Sequence, residues 1–346
     1  MLSLTPRTLS RSIAGLSASA ITLVAASTAS AEDDTVRIGL LSLTSHAPSI
    51  IAEGKGYFAD EGLDAEFVSF QAAQPMAVAI ASGDVDFGVT AISGSLISLA
   101  ERGAVKVIGG ALQESDDVEG QKILVSKQAY EDGVTTPADL EDRRFGITTA
   151  GSSFHYMAHK IADGEGFARD SLSLVTMNGV PAVIAALRSG QIDAWSIVPN
   201  IAGGLTGGDD PDVFEIGSVA DYVEDYQVTT VFTATEIIDD DPEVVERFLA
   251  AFSRGVDDYN AALVDGSMSE EDTAAIIEMI HQYVYTDRPL ADADPAIRAG
   301  AMRINENARL NMDSVTDQVE WFISEGLVPE TASVDTLVDP GFVETY

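Results

Sequence analysis

Ala81-Ser82-Gly83-Asp84-Val85-Asp86 and Arg188-Ser189-Gly190-Gln191-Ile192-Asp193 are two versions of one short phrase, and they lie about 107 positions apart. In each copy an apolar helical stretch precedes Ser-Gly-x-[Val/Ile]-Asp, and an apolar strand pattern follows. A phrase that occurs twice at so long a period predicts two similar lobes, whereas a solenoid would repeat it at short, fixed intervals.

The sequence around both copies alternates between strand and helix patterns. In the first block, strands are predicted at 36–41, 65–70 and 85–89, with helices within 47–58 and 75–82. In the second block, strands are predicted at 145–149, 173–177 and 192–198, with helices at about 153–163 and 181–188. Strands separated by helices of this length are typical of parallel βαβ units. We therefore predict an α/β fold in which each lobe holds a mostly parallel sheet flanked by helices.

Helical patterns dominate from position 239 onward. Asp241-Pro242-Glu243 supplies an N-cap, a proline in the first turn and an acidic first-turn residue, and an apolar stripe from Val244 to Leu263 follows. Further helices are predicted at about 270–283, 295–310 and 313–325. The glycine-rich stretch 203–210 is predicted to be a flexible loop. It lacks the Gly-Lys-[Ser/Thr] of a phosphate-binding loop, so we do not expect it to bind phosphate.

The chain of 346 residues is strongly acidic, with 19 Lys and Arg against 56 Asp and Glu and a formal net charge of −37. Nucleic acid and anionic lipid both require a basic surface, so neither is an expected partner. The chain has no cysteine, which excludes disulfides, thiol nucleophiles and Cys-ligated zinc.

Residues 1–31 have the pattern of a signal peptide. Arg7 and Arg11 precede a small and apolar run from Ile13 to Ala26, and Ala29-Ser30-Ala31 fits a cleavage site after Ala31. The run is too short to span a bilayer comfortably. We expect a Sec-type export signal and a soluble protein that works outside the cytoplasm, with no direct membrane insertion.

Several stretches resemble one known family. Residues 53–63, Glu-Gly-Lys-Gly-Tyr-Phe-Ala-Asp-Glu-Gly-Leu, are similar to the signature of the NitT/TauT group of substrate-binding proteins of ABC importers, within the sulfonate-binding and Thi5-like superfamily. Similar blocks occur in family order at 81–86, 137–142, 181–193, 321–327 and 339–343. Together they extend over about 36–343.

The resemblance implies a two-lobed Venus-flytrap fold of the type II periplasmic binding proteins. Lobe one would comprise 36–115 plus about 231–346 with the C-terminal helices, and lobe two would comprise 120–230. The implied function is that of a monomeric periplasmic carrier. It would capture a small organic solute, taurine-like or alkanesulfonate-like, and deliver it to a membrane permease and its ATPase, without catalysis or cofactor.

Parallel α/β sheets bind ligands beyond the carboxyl ends of their strands, so the loops that follow the predicted strands supply the candidate site residues. These candidates are Thr44, Ser45, His46, Gln71, Thr90, Ser93, Ser152, Ser153, Phe154, Asn178 and Trp195. Each serine or threonine could equally be an ordinary helix cap, and Trp195 could be a core residue rather than a stacking wall. His155 and His159 have a spacing that permits metal binding, but without nearby acidic residues or cysteines we expect no metal.

The ligand class stays open at this point. The candidate loops contain no Lys or Arg, so a singly charged sulfonate or carboxylate would rest on helix N-termini and hydroxyls. An uncharged heteroaromatic such as a pyrimidine or thiamine precursor, stacked on Trp195 or Phe154, fits equally well. Two other functions are a Thi5-like enzyme, whose family depends on a Cys-rich motif absent here, and a chemosensory binding protein. A Ser-His-Asp hydrolase lacks its Gly-x-Ser-x-Gly motif.

Overall fold

The computed structural model describes residues 34–115 and 118–346, which belong to one compact unit. The predicted signal peptide at 1–31 and its cleavage point lie outside the described residues. The strands are β1 (Asp34–Leu41), β2 (Leu63–Phe70), β3 (Phe87–Thr90), β4 (Val105–Gly110), β5 (Lys122–Ser126), β6 (Arg144–Ile147), β7 (Ser173–Thr176), β8 (Ala194–Ile197), β9 (Val213–Ser218) and β10 (Thr230–Ala234).

The α-helices of the described residues are α1 (Ala47–Gly54), α2 (Tyr57–Asp60), α3 (Ala73–Ala81), α4 (Gly94–Glu101), α5 (Lys127–Glu131), α6 (Ser153–Glu165), α7 (Val180–Arg188), α8 (Pro199–Thr206), α9 (Thr235–Asp240), α10 (Pro242–Tyr259), α11 (Glu270–His281), α12 (Leu290–Ala299), α13 (Met312–Ser324) and α14 (Val334–Leu337). Short 3-10 helices lie at Thr44–His46, Pro137–Leu140, Arg169–Ser171, Val219–Asp221 and Glu306–Ala308, and a π-helical turn at Asn260–Val264 extends α10. Nowhere in the described chain is a helix both long and apolar enough to cross a membrane.

Two five-stranded mixed sheets form the centres of two lobes. The first sheet has the order β2-β1-β3-β10-β4 and the second has the order β7-β6-β8-β5-β9. In each sheet four strands run in one direction and one is reversed, namely β10 in the first and β5 in the second. The two-lobed α/β prediction with mostly parallel sheets is therefore confirmed. The reversed strand is in each case the first one formed after the chain passes from one sheet to the other.

An arginine–aspartate pair explains the repeated phrase. Asp86 immediately precedes β3 and accepts hydrogen bonds from the backbone N–H of Arg37, at 2.7 Å, and from its guanidinium. Asp193 immediately precedes β8 and accepts the same bonds from Arg144, with 2.8 Å for the backbone N–H. Both guanidinium groups also donate to two backbone carbonyls of their own copy of the phrase. The same device thus holds two parallel strands together in each lobe.

The C-terminal helices contact both lobes. On the first lobe, Phe248 of α10 stacks against Phe87 of β3, with ring centroids 3.9 Å apart. On the second lobe, Asp317 of α13 accepts a hydrogen bond from Tyr156 of α6 and forms a 2.7 Å ion pair with Lys160. The C-terminal helices therefore connect the lobes in addition to the two chain crossovers.

Two local predictions are wrong. The predicted loop at 203–210 is helical as far as Thr206, because Pro199 starts a helix whose Ala202 and Leu205 are buried, and this burial outweighs the helix cost of Gly203 and Gly204. The predicted helix at 295–310 begins earlier and ends at Ala299. A side chain at Gly300 would overlap the backbone of Asn200, and Asn307 has a φ of 53°, so the chain between them is irregular.

Candidate ligand-binding site

A cavity of about 60 Å³ lies between the lobes, beyond the carboxyl ends of β1, β2 and β3 on one side and of β6, β7 and β8 on the other. Of its 19 lining residues, 11 are apolar: Leu41, Leu43, Ala72, Ala73, Ala91, Leu112, Phe154, Val180, Ile197, Val198 and Val228. The polar ones are Ser45, His46, Thr90, Gln121, Thr148, Ser152, Ser153 and Thr229. A wider groove of about 590 Å³ opens at the amino ends of the first sheet's strands, beside Asp34 and Asp86, away from where such sheets bind ligands.

The N-termini of five helices meet at this cavity. The N-cap residues of α1, α3, α6 and α8 and the first residue of α7 are all lining residues: His46, Ala72, Ser152, Val198 and Val180. No side chain among the described residues caps any of these five helices. Helix N-termini carry backbone N–H groups without partners in the helix, and these groups favour an electronegative ligand atom. A proline in the first turn of α1, α3, α7 and α8 removes one such group from each of these four helices.

Of the nine α-helices in the described residues that begin elsewhere, six are capped by a side chain, and α2, α9 and α12 are not. The N-cap side chains of α4, α5, α10, α11, α13 and α14 all accept a hydrogen bond from a backbone N–H of the first turn. These caps are Ser93, Ser126, Asp241, Ser269, Asn311 and Ser333, and they lie outside the cavity lining. All five helices that begin at the cavity lack a side-chain cap, against three of the nine that begin elsewhere.

His46 presents a fixed donor to the cavity. The backbone N–H of Leu41 donates to Nδ1 of His46 at 3.4 Å, which places the imidazole proton on Nε2. Nε2 is buried and has no partner among the described residues. Burial lowers the pKa of His46 to about 3, so the ring is neutral at physiological pH.

The lining carries no counter-charge for an ion. Among the described lining residues none is Lys, Arg, Asp or Glu. Each helix N-terminus contributes about 0.3–1 kcal/mol toward a negatively charged group. Taking an ion out of water costs several kcal/mol, and no side chain of the described lining pairs with an ion to offset this cost. The cavity is therefore better suited to hydrogen-bond acceptors than to full charges.

The predicted residues of the second lobe's first loop come together at the cavity. Ser152 and Ser153 lie at the start of α6, and Phe154 follows them. Ser152 is buried, and its Oγ neither caps α6 nor finds another partner in the described part of the chain. Ser45 and Thr90 line the cavity from the first lobe.

The other predicted residues lie outside the lining. Thr44 is buried and accepts a 2.8 Å hydrogen bond from Asn200 of the opposite lobe. Ser93 caps α4 by accepting from the N–H of Leu96 at 3.3 Å. Trp195 is fully buried in β8 behind Phe154, with ring centroids 5.4 Å apart. Gln71 and Asn178 are exposed, and Gln71 lies beside Gly179 of the other lobe.

Several residues that line the cavity were not predicted from the sequence. Thr148 is the first residue after β6, but the predicted strand extends two residues too far and includes it. Gln121 and Thr229 lie on the two crossovers between the sheets, where no strand–loop–helix pattern marks a site. The apolar lining residues carry no signal that separates them from the core.

Both histidines of α6, beside the cavity, have their ring nitrogens in contact with other polar groups. The N–H of Gly151 donates to Nδ1 of His155 at 3.2 Å, and Nε2 of His155 lies 3.1 Å from Nε2 of His159. Nδ1 of His159 lies 3.4 Å from a carboxylate oxygen of Glu325, which also pairs with Arg169. Burial, with a smaller effect of His159, lowers the pKa of His155 to about 4, and burial also lowers the pKa of His159. Within residues 34–115 and 118–346 no group of three or more potential metal ligands occurs.

Acidification is expected to destabilise the fold through these buried histidines. Below about pH 6.5 the unfolded chain binds protons at His46 and His155 that the folded chain excludes, so the free energy of unfolding falls as the pH falls. For His46 alone, the free energy of unfolding should fall by about 2–3 kcal/mol between about pH 7 and pH 4.5. Urea unfolding at both pH values should show a smaller pH effect in His46→Gln, which does not titrate. Equal losses in both proteins would contradict the prediction.

The model of the NMT1/THI5-like family matches residues 43–262. A relative from Brucella abortus (strain 2308), provisionally described as a binding protein, is 26% identical over 234 residues, which cover 67% of this chain and 69% of the relative.

Two solved structures show the same fold. The alkanesulfonate-binding protein SsuA from Xanthomonas axonopodis pv. citri, bound to MOPS, superposes with a TM-score of 0.69 and 18% identity, covering 90% of this chain and 100% of that one. The desulfurization enzyme DszB has a TM-score of 0.56 and 15% identity, covering 89% and 97%. The fold is thus shared by binding proteins and by at least one enzyme.

Proposed function

The chain belongs to the NMT1/THI5-like family, and from this premise we propose that it is the periplasmic solute-binding component of an ABC importer. It captures a small organic solute in the cavity between its lobes and delivers the solute to a membrane permease. Lobe one comprises 36–115 plus about 231–346 and lobe two 120–230. The observation that carries the proposal is the convergence of five uncapped helix N-termini from both lobes on one cavity.

Contacts between the lobes support capture by closure. The N–H of Gly94 at the start of α4 donates to the carbonyl of Gly151 in the loop after β6, at 2.9 Å. Thr44 and Asn200 join the lobes at a second point. Two-lobed binding proteins close about a hinge when a ligand contacts both lobes, and the closed form is what a permease would recognise.

The occurrence of the fold in DszB makes an enzyme the alternative to test. A nucleophilic serine would need a base that is oriented by a third group. Nδ1 of His46 accepts a backbone N–H, and the described cavity lining offers no carboxylate to orient the ring. These features support a carrier.

A thermal-shift screen tests the proposed function. The panel contains taurine, alkanesulfonates, nitrate, aromatic carboxylates and pyrimidines. A ligand at about 100 times its Kd should stabilise the protein by about 2.7 kcal/mol, which raises the Tm by several degrees. Binding of a compound that is recovered unchanged supports the carrier, and turnover of any compound would overturn it.

Two serine variants separate binding from capping. Ser152→Ala should weaken binding of a panel ligand by about 3- to 10-fold, the effect of losing one hydrogen bond, with little change in Tm. Ser93→Ala should leave the affinity unchanged but lower the free energy of unfolding by about 1 kcal/mol, because it removes the cap of α4. Calorimetric titration and thermal unfolding of both variants check this. A stability loss without an affinity loss in Ser152→Ala would assign that serine to the scaffold.

A further inference from the structure

We propose that the cavity selects a small uncharged solute that offers hydrogen-bond acceptors, and that it discriminates against carboxylates and sulfonates of the same shape. The inference rests on the proposed function, because it names the ligand class of the same site. The proposed ligand class differs from that of the alkanesulfonate-binding protein with the same fold, whose named ligands are anions.

The first argument is the balance of charge in the lining. As described above, the side chains around the cavity include neither a cation to pair with an anion nor a carboxylate to pair with an amine. His46 is the only titratable residue in the described lining, and its Nδ1 accepts the N–H of Leu41, which is possible only for the neutral ring. An anion would therefore be buried without a counter-ion.

The second argument is the polarity of the buried, unpartnered groups on the lining residues. Nε2–H of His46 on the first lobe is a donor without a partner in the described structure, and Ser152 Oγ on the second lobe is likewise unpartnered and buried. Helix N-termini add further donors around them. This surplus of donors excludes a cationic ligand. A carbonyl, amide, lactam or sulfonyl oxygen can accept from both lobes at once and so hold them closed.

The third argument is the apolar majority of the lining. Leu41, Leu43 and Ala72 on one lobe face Val180, Ile197 and Val198 on the other. Apolar surface gains from contact with an uncharged ligand, whereas it cannot replace the water that hydrates an anion. Helix N-termini stabilise an anion more than a neutral acceptor, so the preference for the neutral molecule rests on the missing counter-ion and the apolar lining.

Matched pairs of ligands test this inference. The probes are methanesulfonamide and methanesulfonate, acetamide and acetate, and nicotinamide and nicotinate, each pair similar in shape and different in charge. Calorimetric titration of the purified protein should give at least about tenfold tighter binding for the amide of every pair that binds. This affinity should be insensitive to salt, since no charge is neutralised. His46→Leu should weaken binding of the amide, and His46→Gln, which retains an N–H donor, should weaken it less.

The outcomes separate the inference from the function beneath it. If the acid of any pair binds more tightly than its amide, the inference is overturned while the carrier function stands. If none of the six probes binds, the inference fails for these acceptor classes, and the broader thermal-shift panel decides the function independently. Conversion of a probe would overturn the carrier function itself.

Discussion

Replacing Trp195 with alanine is expected to lower the free energy of unfolding by about 3–5 kcal/mol, because it removes the largest fully buried side chain of the second lobe. Trp195 lies in β8 opposite Leu124 of β5, so the void would open inside the sheet that carries half of the site. The indole is separated from the cavity lining by Phe154 and makes no direct part of it. The main effect should therefore be on folding, with a decrease in Tm of roughly 10 °C.

Thermal unfolding and ligand titration of the same samples distinguish the two roles of this residue. Trp195→Phe is the matched control, since it retains an aromatic ring and should cost clearly less stability than alanine. An unchanged Tm in Trp195→Ala together with lost binding would instead show that Trp195 stacks on the ligand, as its position at the end of a strand suggests.

Replacing Gly255 with alanine should be destabilising by about 2–3 kcal/mol even though the position lies inside a helix. Gly255 is buried in α10, and a Cβ there would overlap the carbonyl oxygen of Pro48 in α1. That oxygen belongs to the backbone of a packed helix, so it cannot move away as a flexible side chain would. The helix-propensity gain of about 0.5–1 kcal/mol offsets only part of the clash.

Gly204→Ala is the matched control for this variant. Gly204 also lies inside a helix, α8, but an added Cβ meets no atom within 4 Å. We expect a small stabilisation of about 0.5–1 kcal/mol from the same exchange of residues. If the close packing of α1 on α10 decides the result for Gly255→Ala, urea unfolding should show changes in the free energy of unfolding of opposite sign for the two variants. Changes of the same sign would show that helix propensity dominates.

The fold was largely predictable because its strongest determinants are local. Hydrophobic periodicity locates most strands and helices of the βαβ units, and the repeated phrase at 81–86 and 188–193 reveals the two lobes. The partners of that phrase were not predictable, since nothing in a single sequence singles out Arg37 and Arg144 from other arginines. Likewise, the end of α12 at Gly300 depends on the neighbouring backbone of Asn200, a tertiary contact without a local signature.

The site was predictable only in part. The rule that strand-end loops form the site predicts Ser45, His46, Thr90 and the start of α6, and these residues line the cavity because sheet topology brings such loops together. Whether a serine caps its helix or faces a cavity depends on a side-chain rotation that the sequence does not encode locally. Ser93 and Ser152 occupy equivalent N-cap positions, and only the first makes the capping bond.

The position of β10 has a consequence for the order in which the chain can fold. Within the described part of the first sheet, β4 pairs with β10 alone, and β10 comes from residues 230–234, more than a hundred positions after β4 ends. Every strand of the second sheet is made in the interval, as one uninterrupted segment. A ribosome therefore releases all of lobe two before lobe one can finish its sheet, and such long-range pairing is slow. Lobe one therefore stays incomplete until residues 230–234 have emerged, although every strand of the second sheet is already available by then.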